Sequence, residues 1–190
     1  IASPFEVVAT TRMARAMNAV IRYVDVDPDT LALDLDAAEA AVTPRTRLVL
    51  PSHAFGWPLD VRSFAEAMAE RGIAVIEDAR GAIGAREHGR GIGGGSGVPV
   101  VFDFGAKRAV TTGEGGVVCT DDEQLALRMR ACVEHSLSDV ACAIGIAQLE
   151  KLPRMLTMRR EVAADYTRLL ADVDGVAIPC ADVGERQRGW

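Results

Sequence analysis

Two lysines, Lys107 and Lys151, are the only side chains of this 190-residue chain that could supply a reactive amine, because all its other basic residues are arginines. A lysine amine attacks carbonyl carbons and forms a Schiff base, a common route of covalent catalysis. Lys107 shortly precedes the glycine-rich sequence Thr111–Gly116 (TTGEGG), whereas Lys151 lies in a segment with helical spacing of apolar residues. We interpret Lys151 as a surface lysine and Lys107 as the candidate for chemistry.

A carboxylate at the end of a strand-like run is the candidate partner of Lys107. The apolar run Ile73–Asp78 (IAVIED) is typical of a strand buried on both faces, and Asp78 is its last residue. A carboxylate there could hold the pyridinium nitrogen of pyridoxal phosphate (PLP), whose aldehyde a lysine binds as a Schiff base. Many α/β strands end in an acidic residue, so Asp78 alone is a weak signal. Asp78, Lys107 and the glycine-rich turn together form the smallest constellation expected for PLP.

His53 comes just after the predicted strand Arg47–Pro51. The carboxyl ends of strands line the ligand crevice of an open α/β sheet, so His53 could face a site. A structural histidine with both ring nitrogens hydrogen-bonded is an equally good interpretation, and the sequence leaves the two open. The other histidines, His88 and His135, are too dispersed to form a spaced metal motif with it.

Several nucleotide, hydrolase and redox motifs are absent or out of context. Gly89–Gly94 fits the letters G-x-G-x-x-G, but a strand follows it, which removes the helix N-terminus that a pyrophosphate needs. We interpret the glycine-rich stretch Gly89–Gly97 as a flexible hairpin or crossover loop. The sequence contains no P-loop, no G-x-S-x-G elbow and no C-x-x-C pair.

The charge balance and the apolar pattern argue against two classes of partner. The 21 Lys and Arg residues against 27 Asp and Glu residues give a net charge of −6, so a nucleic-acid interface is not expected. No apolar run approaches the ~20 residues that cross a bilayer, and the N-terminus lacks the pattern of a signal peptide. We therefore expect a cytoplasmic protein with no nucleic-acid or membrane partner.

Short β-rich runs alternate with helical patterns until Thr120, and helical spacing dominates the last third of the chain. This alternation predicts an α/β fold with three layers, in which a mostly parallel sheet is flanked by helices. The predicted strands are Arg22–Val26, Arg47–Pro51, Ile73–Asp78, Val98–Phe104 and Gly116–Thr120, and the predicted helices are Asp34–Ala41, Val61–Arg71, Asp122–Cys132, Ser138–Leu152 and Pro153–Asp172.

The blocks around these residues resemble the DegT/StrS family of sugar aminotransferases, which are PLP enzymes of fold type I. They occur in the family's order over nearly the whole chain. The matching blocks are Tyr23–Thr30 (YVDVDPDT), Thr43–Thr46 (TPRT), His53–Pro58 (HAFGWP), Ile76–Ala79 (IEDA), Thr111–Gly116 (TTGEGG) and Ala143–Leu152 (AIGIAQLEKL).

The resemblance implies a domain plan, a cofactor and partners. It implies a truncated large domain of aminotransferase fold type I, with residues 1–135 as the α/β core and residues 136–190 as a helical segment leading toward an absent small C-terminal domain. It also implies PLP as cofactor, a homodimer or a heteromeric pair with a related protein, and a sugar-like ligand in amino-sugar or antibiotic biosynthesis. These partners come by analogy alone.

Compared position by position with the family's pattern, this chain matches at one cofactor-binding residue and differs at others. Asp78 matches the family's pyridinium-binding aspartate. The position of the Schiff-base lysine holds Arg108, with Lys107 one residue early, and the phosphate-binding serine corresponds to Asp103. A carboxylate at that position would repel a phosphate dianion.

Two further cofactor positions depart from the family's pattern. The segment after Asp78 carries Arg80 and Gly81 and lacks the family's usual Gln or His. Val7 stands where the family has the aromatic residue that stacks on the cofactor ring.

Three hypotheses remain open at this point. In the first, the protein keeps the fold without the cofactor: the guanidinium of Arg108 stays protonated and cannot form a Schiff base, and Arg80 and Arg108 fill the vacated space by pairing with nearby acids. In the second, it is an active PLP-dependent aminotransferase of a keto sugar, in which Lys107 reaches the cofactor from a shifted loop. In the third, a PLP-independent enzyme binds an anion with Arg80 and Arg108 and has His53 among its catalytic groups.

Overall fold

The computed structural model describes residues 1–5, 7–133, 136–178 and 186–189. From Leu35 to Val75 helices and strands alternate as the sequence predicts, and further strands then follow one another without a helix up to Cys119. In chain order the elements are α1 (Val7–Ala16), α2 (Leu35–Ala40), β1 (Leu48–Val49), α3 (Arg62–Glu70), β2 (Ala74–Val75), β3 (Glu77–Asp78), β4 (Arg86–Glu87), β5 (Arg90–Gly91), β6 (Val100–Asp103), β7 (Gly116–Cys119), α4 (Glu123–Cys132) and α5 (Asp139–Leu170).

Parallel strand pairs form the centre of the fold, with an antiparallel strand beside them. β1 pairs with β2 in the register Leu48↔Ala74, and β3 pairs with β6 in the register Asp78↔Val101. A parallel bridge between Ser52 and Asp78 connects the two pairs. β7 lies antiparallel to β6 on its other side. The prediction of an α/β fold with a mostly parallel sheet is confirmed.

The predicted strand Ile73–Asp78 is divided into β2 and β3 at Ile76. The Ile76 N–H donates to the carbonyl of Val49 at 3.2 Å, and the Asp78 N–H donates to the carbonyl of Pro51 at 2.8 Å. Hydrogen bonding to the neighbouring segment therefore continues across the division. β2 and β3 are two parts of one extended segment that ends at the candidate carboxylate.

Two clusters of buried apolar side chains hold these elements together. The first lies between the β1–β2 pair and helices α2 and α3, and includes Leu33, Val49, Phe64 and Met68. Phe64 and Met68 are four residues apart on α3, so they project from the same face of the helix. The second cluster includes Phe102 of β6 and buried alanines of the loop after β3. Its Phe102 directly precedes the last residue of β6.

Three helices begin at side chains that cap them. Asp34, Asp122 and Ser138 each accept a hydrogen bond from the backbone N–H three residues later, at 2.9, 2.9 and 3.2 Å. Such caps satisfy backbone donors that have no partner within the helix. The predicted starts of α2, α4 and α5 are therefore confirmed.

The last third contains one long helix where the sequence predicts two. A boundary was expected before Pro153 because proline lacks an N–H and its ring crowds the preceding turn. α5 instead runs through Pro153, and Gly145 before it and Leu156 after it are both buried. Packing on both sides of the proline keeps the helix continuous, so the predicted division is wrong. Within the described residues, no helix is both long and apolar enough to cross a membrane.

The N-terminal region also differs from its prediction. Arg22–Val26 forms no strand; isolated bridges pair Tyr23 with Ala2 and Val26 with Leu33. β-branched and aromatic residues favour extended backbone, but in the described part of the chain no segment pairs with this run over consecutive residues. Helix α1 is absent from the predicted helices because its first half is rich in β-branched residues, which lower helix propensity.

Candidate functional site

The ends of β3 and β6 place two acidic side chains next to each other. β3 ends at Asp78 and β6 ends at Asp103. Asp78 is in register with Val101, and Asp103 lies two residues further along β6, so both carboxylates project from the same face. The carboxyl edge of parallel strands is where open α/β sheets bind ligands. The sheet therefore brings these two predicted site residues to one edge.

Arg80 holds the carboxylate of Asp78 with both arms of its guanidinium. Arg80 Nε donates to Asp78 Oδ1 at 2.8 Å, and Arg80 Nη2 donates to Asp78 Oδ2 at 2.6 Å. The backbone N–H of Arg80 donates to Oδ1 as well, at 3.2 Å. The side chains of Arg80 and Asp78 are only 20% and 15% exposed. A bidentate pair with this geometry is among the stronger polar contacts in proteins.

Arg108 and the backbone of Gly105 hold the carboxylate of Asp103. Arg108 Nε donates to Asp103 Oδ2 at 2.6 Å, and the Gly105 N–H donates to Asp103 Oδ1 at 2.7 Å. Partial burial raises the pKa of Asp103, but these two hydrogen bonds and the charges of Arg108 and Arg80 outweigh it, so the pKa lies below its usual value. Asp103 is therefore negatively charged at neutral pH.

The two ion pairs form one cluster. The charge of Arg80 acts on Asp103, the acid that Arg108 binds. A methyl group placed on Gly81 would lie 3.7 Å from Arg108 Nη1, so the guanidinium packs next to the Gly81 backbone. The structure thus brings together Asp78, Arg80, Gly81, Asp103 and Arg108, which the sequence predicts from separate segments.

Lys107 lies beside this cluster on an exposed turn. The turn is closed by a hydrogen bond of 3.0 Å from the Arg108 N–H to the carbonyl of Gly105. The glycine-rich sequence then folds back on the end of β6: the Thr112 N–H and the Thr111 hydroxyl both donate to the carbonyl of Phe104, at 3.0 and 3.1 Å. Arg108 points into the cluster from this turn, while Lys107 is exposed to solvent.

His53 lies outside the cluster and is fully buried. Its Nδ1 accepts the N–H of Leu59 at 3.0 Å, and its Nε2 lies 2.8 Å from Glu77 Oε2. Because Nδ1 is an acceptor, Nε2 carries the proton and donates a hydrogen bond to Glu77 Oε2. Glu77 precedes Asp78 in β3, so its side chain projects from the opposite face of the strand. This geometry matches the structural alternative for His53.

Two predictions from the sequence fall on residues whose side chains are not described. Val7 is the first residue of α1, but its side chain lies outside the described residues, and so do Glu134, His135 and Cys180. The predicted stacking position at Val7 and the predicted domain boundary after His135 therefore stay predictions.

The sequence did not predict a second group of polar side chains at the β4–β5 turn. Asp60, Glu87 and His88 each offer one potential ligand atom, and these atoms lie within 4.8 Å of one another. Glu87 and His88 are adjacent in the sequence, and this adjacency was the only available signal. Asp60 joins them through the fold, at the start of α3.

The fold defines a class of protein. The α/β domain resembles the solved structures of PLP-dependent aminotransferases. The sugar aminotransferase CalS13 from Micromonospora echinospora superposes with a TM-score of 0.87 at 31% identity, covering 99% of this chain and 58% of that one. The aminotransferase TlmJ from Streptoalloteichus hindustanus gives a TM-score of 0.89 at 31% identity, covering 99% and 56%.

A third relative, DesV of S. venezuelae in complex with a ketimine intermediate, has a TM-score of 0.87 at 29% identity and covers 100% of this chain and 55% of that one. The chain belongs to the DegT/DnrJ/EryC1/StrS aminotransferase family, whose sequence profile matches residues 1–190. The resemblance stated from the sequence blocks is therefore confirmed. The chain spans somewhat more than half the length of these solved relatives.

Proposed function

We propose that this protein is a homologue of the sugar aminotransferases that no longer holds PLP through a lysine Schiff base, and that it acts as a degenerate or repurposed member of a sugar or natural-product biosynthetic pathway. The observation that carries this proposal is the bidentate hydrogen bonding of Arg80 to Asp78. Both oxygens of the one retained cofactor carboxylate accept hydrogen bonds from a side chain that brings its own positive charge.

A pyridinium nitrogen would have to compete with Arg80 for Asp78. Hydrogen bonds to charged groups contribute roughly 1.5–3 kcal/mol each, and the Arg80 fork makes two of them to a carboxylate that is mostly shielded from solvent. The pyridinium would gain a hydrogen bond to Asp78, but the Arg80 guanidinium would then lack its partner. Asp78 in this arrangement does not fit PLP.

Asp103 and Arg108 support the same proposal. By the family resemblance, Asp103 takes the position of a phosphate ligand, and its carboxylate, whose pKa lies below an already acidic ordinary value, is negatively charged at neutral pH. Arg108 takes the lysine position, and a guanidinium does not lose its proton to become a nucleophile. Each arginine already pairs with a carboxylate, so the anion-binding alternative is not favoured.

The second candidate function is an active PLP-dependent aminotransferase that uses Lys107. It is kept because Lys107 lies on an exposed turn next to the cluster, and a lysine on such a turn can change its direction at little cost. In that case Lys107 would have to displace the Arg80 and Arg108 side chains from their acids.

The experiment is to add PLP to the purified chain, record the absorbance near the visible edge, and then treat with borohydride. We expect no protein-bound band at one equivalent of PLP, and no preferential labelling of Lys107 over Lys151 after reduction. A borohydride-sensitive band that is lost in K107A and kept in K151A would overturn the proposal and establish the second candidate. K151A is the matched control because Lys151 is the other lysine of the chain and is also exposed.

We further propose that the protein associates with a second copy or with a related protein. In such an assembly it would act as a scaffold, a role that requires no catalysis by this chain. α5 supports this, since four of its large apolar side chains are exposed at spacings of four and three residues, and so share one face. These are Met158, Val162, Tyr166 and Leu169.

A further inference from the structure

A cavity of about 420 Å³ lies between the start of α3 and the β4–β5 hairpin. It is separate from the Arg–Asp cluster, and Glu77, which projects from the opposite face of β3 to Asp78, is among its lining residues. Asp60 enters from the α3 side, and Glu87 and His88 enter from the hairpin. Three carboxylates and an imidazole line this space together with Arg62 and Arg90, and Arg62 donates to the carbonyl of Gly95.

The ligand atoms of Asp60, Glu87 and His88 are arranged closely enough to share one ion. All three lie within 4.8 Å of one another, and Glu87 Oε1 is 3.3 Å from His88 Nε2. Two ligands of one tetrahedral zinc, at bond lengths near 2.1 Å, are about 3.4 Å apart. The Glu87–His88 pair already has this separation, and Asp60 is exposed and can close on it by side-chain rotation.

Glu77 supplies an independent indication that a cation belongs here. Its side chain is 2% exposed, and its Oε1 has no hydrogen-bond partner among the described residues. Its other oxygen accepts a hydrogen bond from His53 Nε2, and His53 is in its neutral form because its Nδ1 accepts the Leu59 N–H. His53 therefore brings no positive charge to the buried carboxylate. Buried carboxylates of this kind are normally paired or coordinate a metal.

Arg186 is compatible with an ion at this position. Its Nε–H is shared between the two oxygens of Glu87, at 3.0 and 3.1 Å. One shared donor leaves lone pairs on both oxygens, since a carboxylate offers about four acceptor sites. Carboxylates that ligate metals are themselves hydrogen-bonded, and such outer partners orient the ligand. Arg186 is therefore positioned as an outer hydrogen-bond partner that orients the ligand Glu87.

We propose that Asp60, Glu87 and His88 bind one divalent transition-metal ion of the Zn²⁺ type, and that Glu77 Oε1 accepts a hydrogen bond from a water bound to it. Mixed carboxylate and imidazole ligands favour Zn²⁺ over Mg²⁺ or Ca²⁺, which prefer oxygen alone. The ion would fasten the β4–β5 turn to the start of α3. The proposal is independent of whether the Arg–Asp cluster holds PLP.

The test is a calorimetric titration of the chelator-treated, reduced chain with Zn²⁺. We expect one equivalent to bind, and each of D60N and H88N to lower the affinity at least about tenfold. H88N is chosen because His88 has a φ of +48°, which asparagine tolerates well, so the turn is retained while the imidazole is lost. D36N is the matched control, since Asp36 is an exposed acid at the start of another helix, and it should leave the affinity unchanged.

Two readouts separate this site from the exposed cysteines. Co²⁺ bound at Asp60, Glu87 and His88 should show a d–d spectrum without a thiolate charge-transfer band, whereas Co²⁺ bound to Cys132 or Cys142 would show one. Zn²⁺ should also raise the melting temperature of the wild type more than that of H88N, because it binds the folded state alone. Failure of the wild type to bind one equivalent, binding unchanged in both D60N and H88N, or a thiolate band would each overturn the proposal.

Discussion

Arg80 and Arg108 differ from ordinary surface arginines in that each is paired with a carboxylate of the sheet edge. A lone guanidinium near a partly buried site would leave an uncompensated charge, which is costly. Here Arg80 pairs with Asp78 and Arg108 with Asp103, so the cluster is close to neutral. The four side chains, which the family resemblance assigns to cofactor positions, therefore pair with one another.

Reversing these residues tests whether they exclude the cofactor. The triple variant R80Q/D103S/R108K frees Asp78, removes the charge that repels a phosphate, and restores an amine at the lysine position. We expect it to bind PLP with a borohydride-sensitive absorbance band that the wild type lacks. The same variant with Arg108 retained is the control and should bind no PLP covalently. A triple variant that folds, by circular dichroism, but shows no band would contradict this interpretation.

The lowered pKa of Asp103 predicts how stability depends on acid. A carboxyl group whose pKa is lower in the folded state stabilises it above the unfolded-state pKa of about 4, and this contribution is lost as the pH falls through the folded-state value. Because the side chain is 31% exposed, we expect a modest effect.

The measurement is urea unfolding of the wild type and of D103N at pH 7 and at pH 3. The difference in free energy of unfolding between the two proteins should favour the wild type at pH 7 and shrink at pH 3. A difference that is the same at both values would show that Asp103 acts through packing rather than through its charge.

At the level of elements, the sequence predicted helices best where a capping side chain precedes an amphipathic run. Asp34, Asp122 and Ser138 mark such starts, and each makes its capping hydrogen bond. Elements that depend on distant packing were missed: α5 continues through Pro153, and Arg22–Val26 has only isolated bridges. Local signals fix where a helix can begin, whereas tertiary contacts decide whether it continues.

The cap of α2 offers a prediction at this scale. Removing the Asp34 carboxylate in D34A leaves the Ala37 N–H without its acceptor, and we expect a loss of about 1 kcal/mol in the free energy of unfolding. D34N keeps an acceptor oxygen at the same position and should lose much less. Urea unfolding measures both variants. Equal losses in D34A and D34N would show that the carboxylate charge, rather than the cap hydrogen bond, matters at this position.

At the scale of the whole molecule, the strand pattern predicted Asp78 at the carboxyl end of a strand, where open α/β sheets bind ligands, whereas Asp103 was predicted as a site residue only through the family resemblance. The partners of these acids came from the loops after each strand, and the sequence predicted them only through the family resemblance. Asp60, Glu87 and His88 could not be predicted to meet, since the hairpin and α3 are brought together by packing. The division into residues 1–135 and 136–190 stays a prediction.

The exposed face of α5 gives a prediction about association. If Val162 lies in an interface, a charged side chain at this position should weaken the association. V162D should then have a smaller apparent mass than the wild type in size-exclusion chromatography with light scattering. A164D places the same charge on another side of α5 and is the control. We expect the wild type and A164D to have at least twice the mass of one chain. A wild type that is monomeric at micromolar concentration would contradict the proposed association.

β7 borders a groove of about 1660 Å³. It pairs with β6 and is an edge strand of the three-stranded sheet in the described residues. Its exposed Val117 and Val118 make this edge a template on which another chain could add a strand. Asp121 and Asp122 follow directly, and like charges at this end repel a second copy. Salt screens that repulsion, so the chain should be handled in dilute, low-salt buffer to avoid precipitation through this edge.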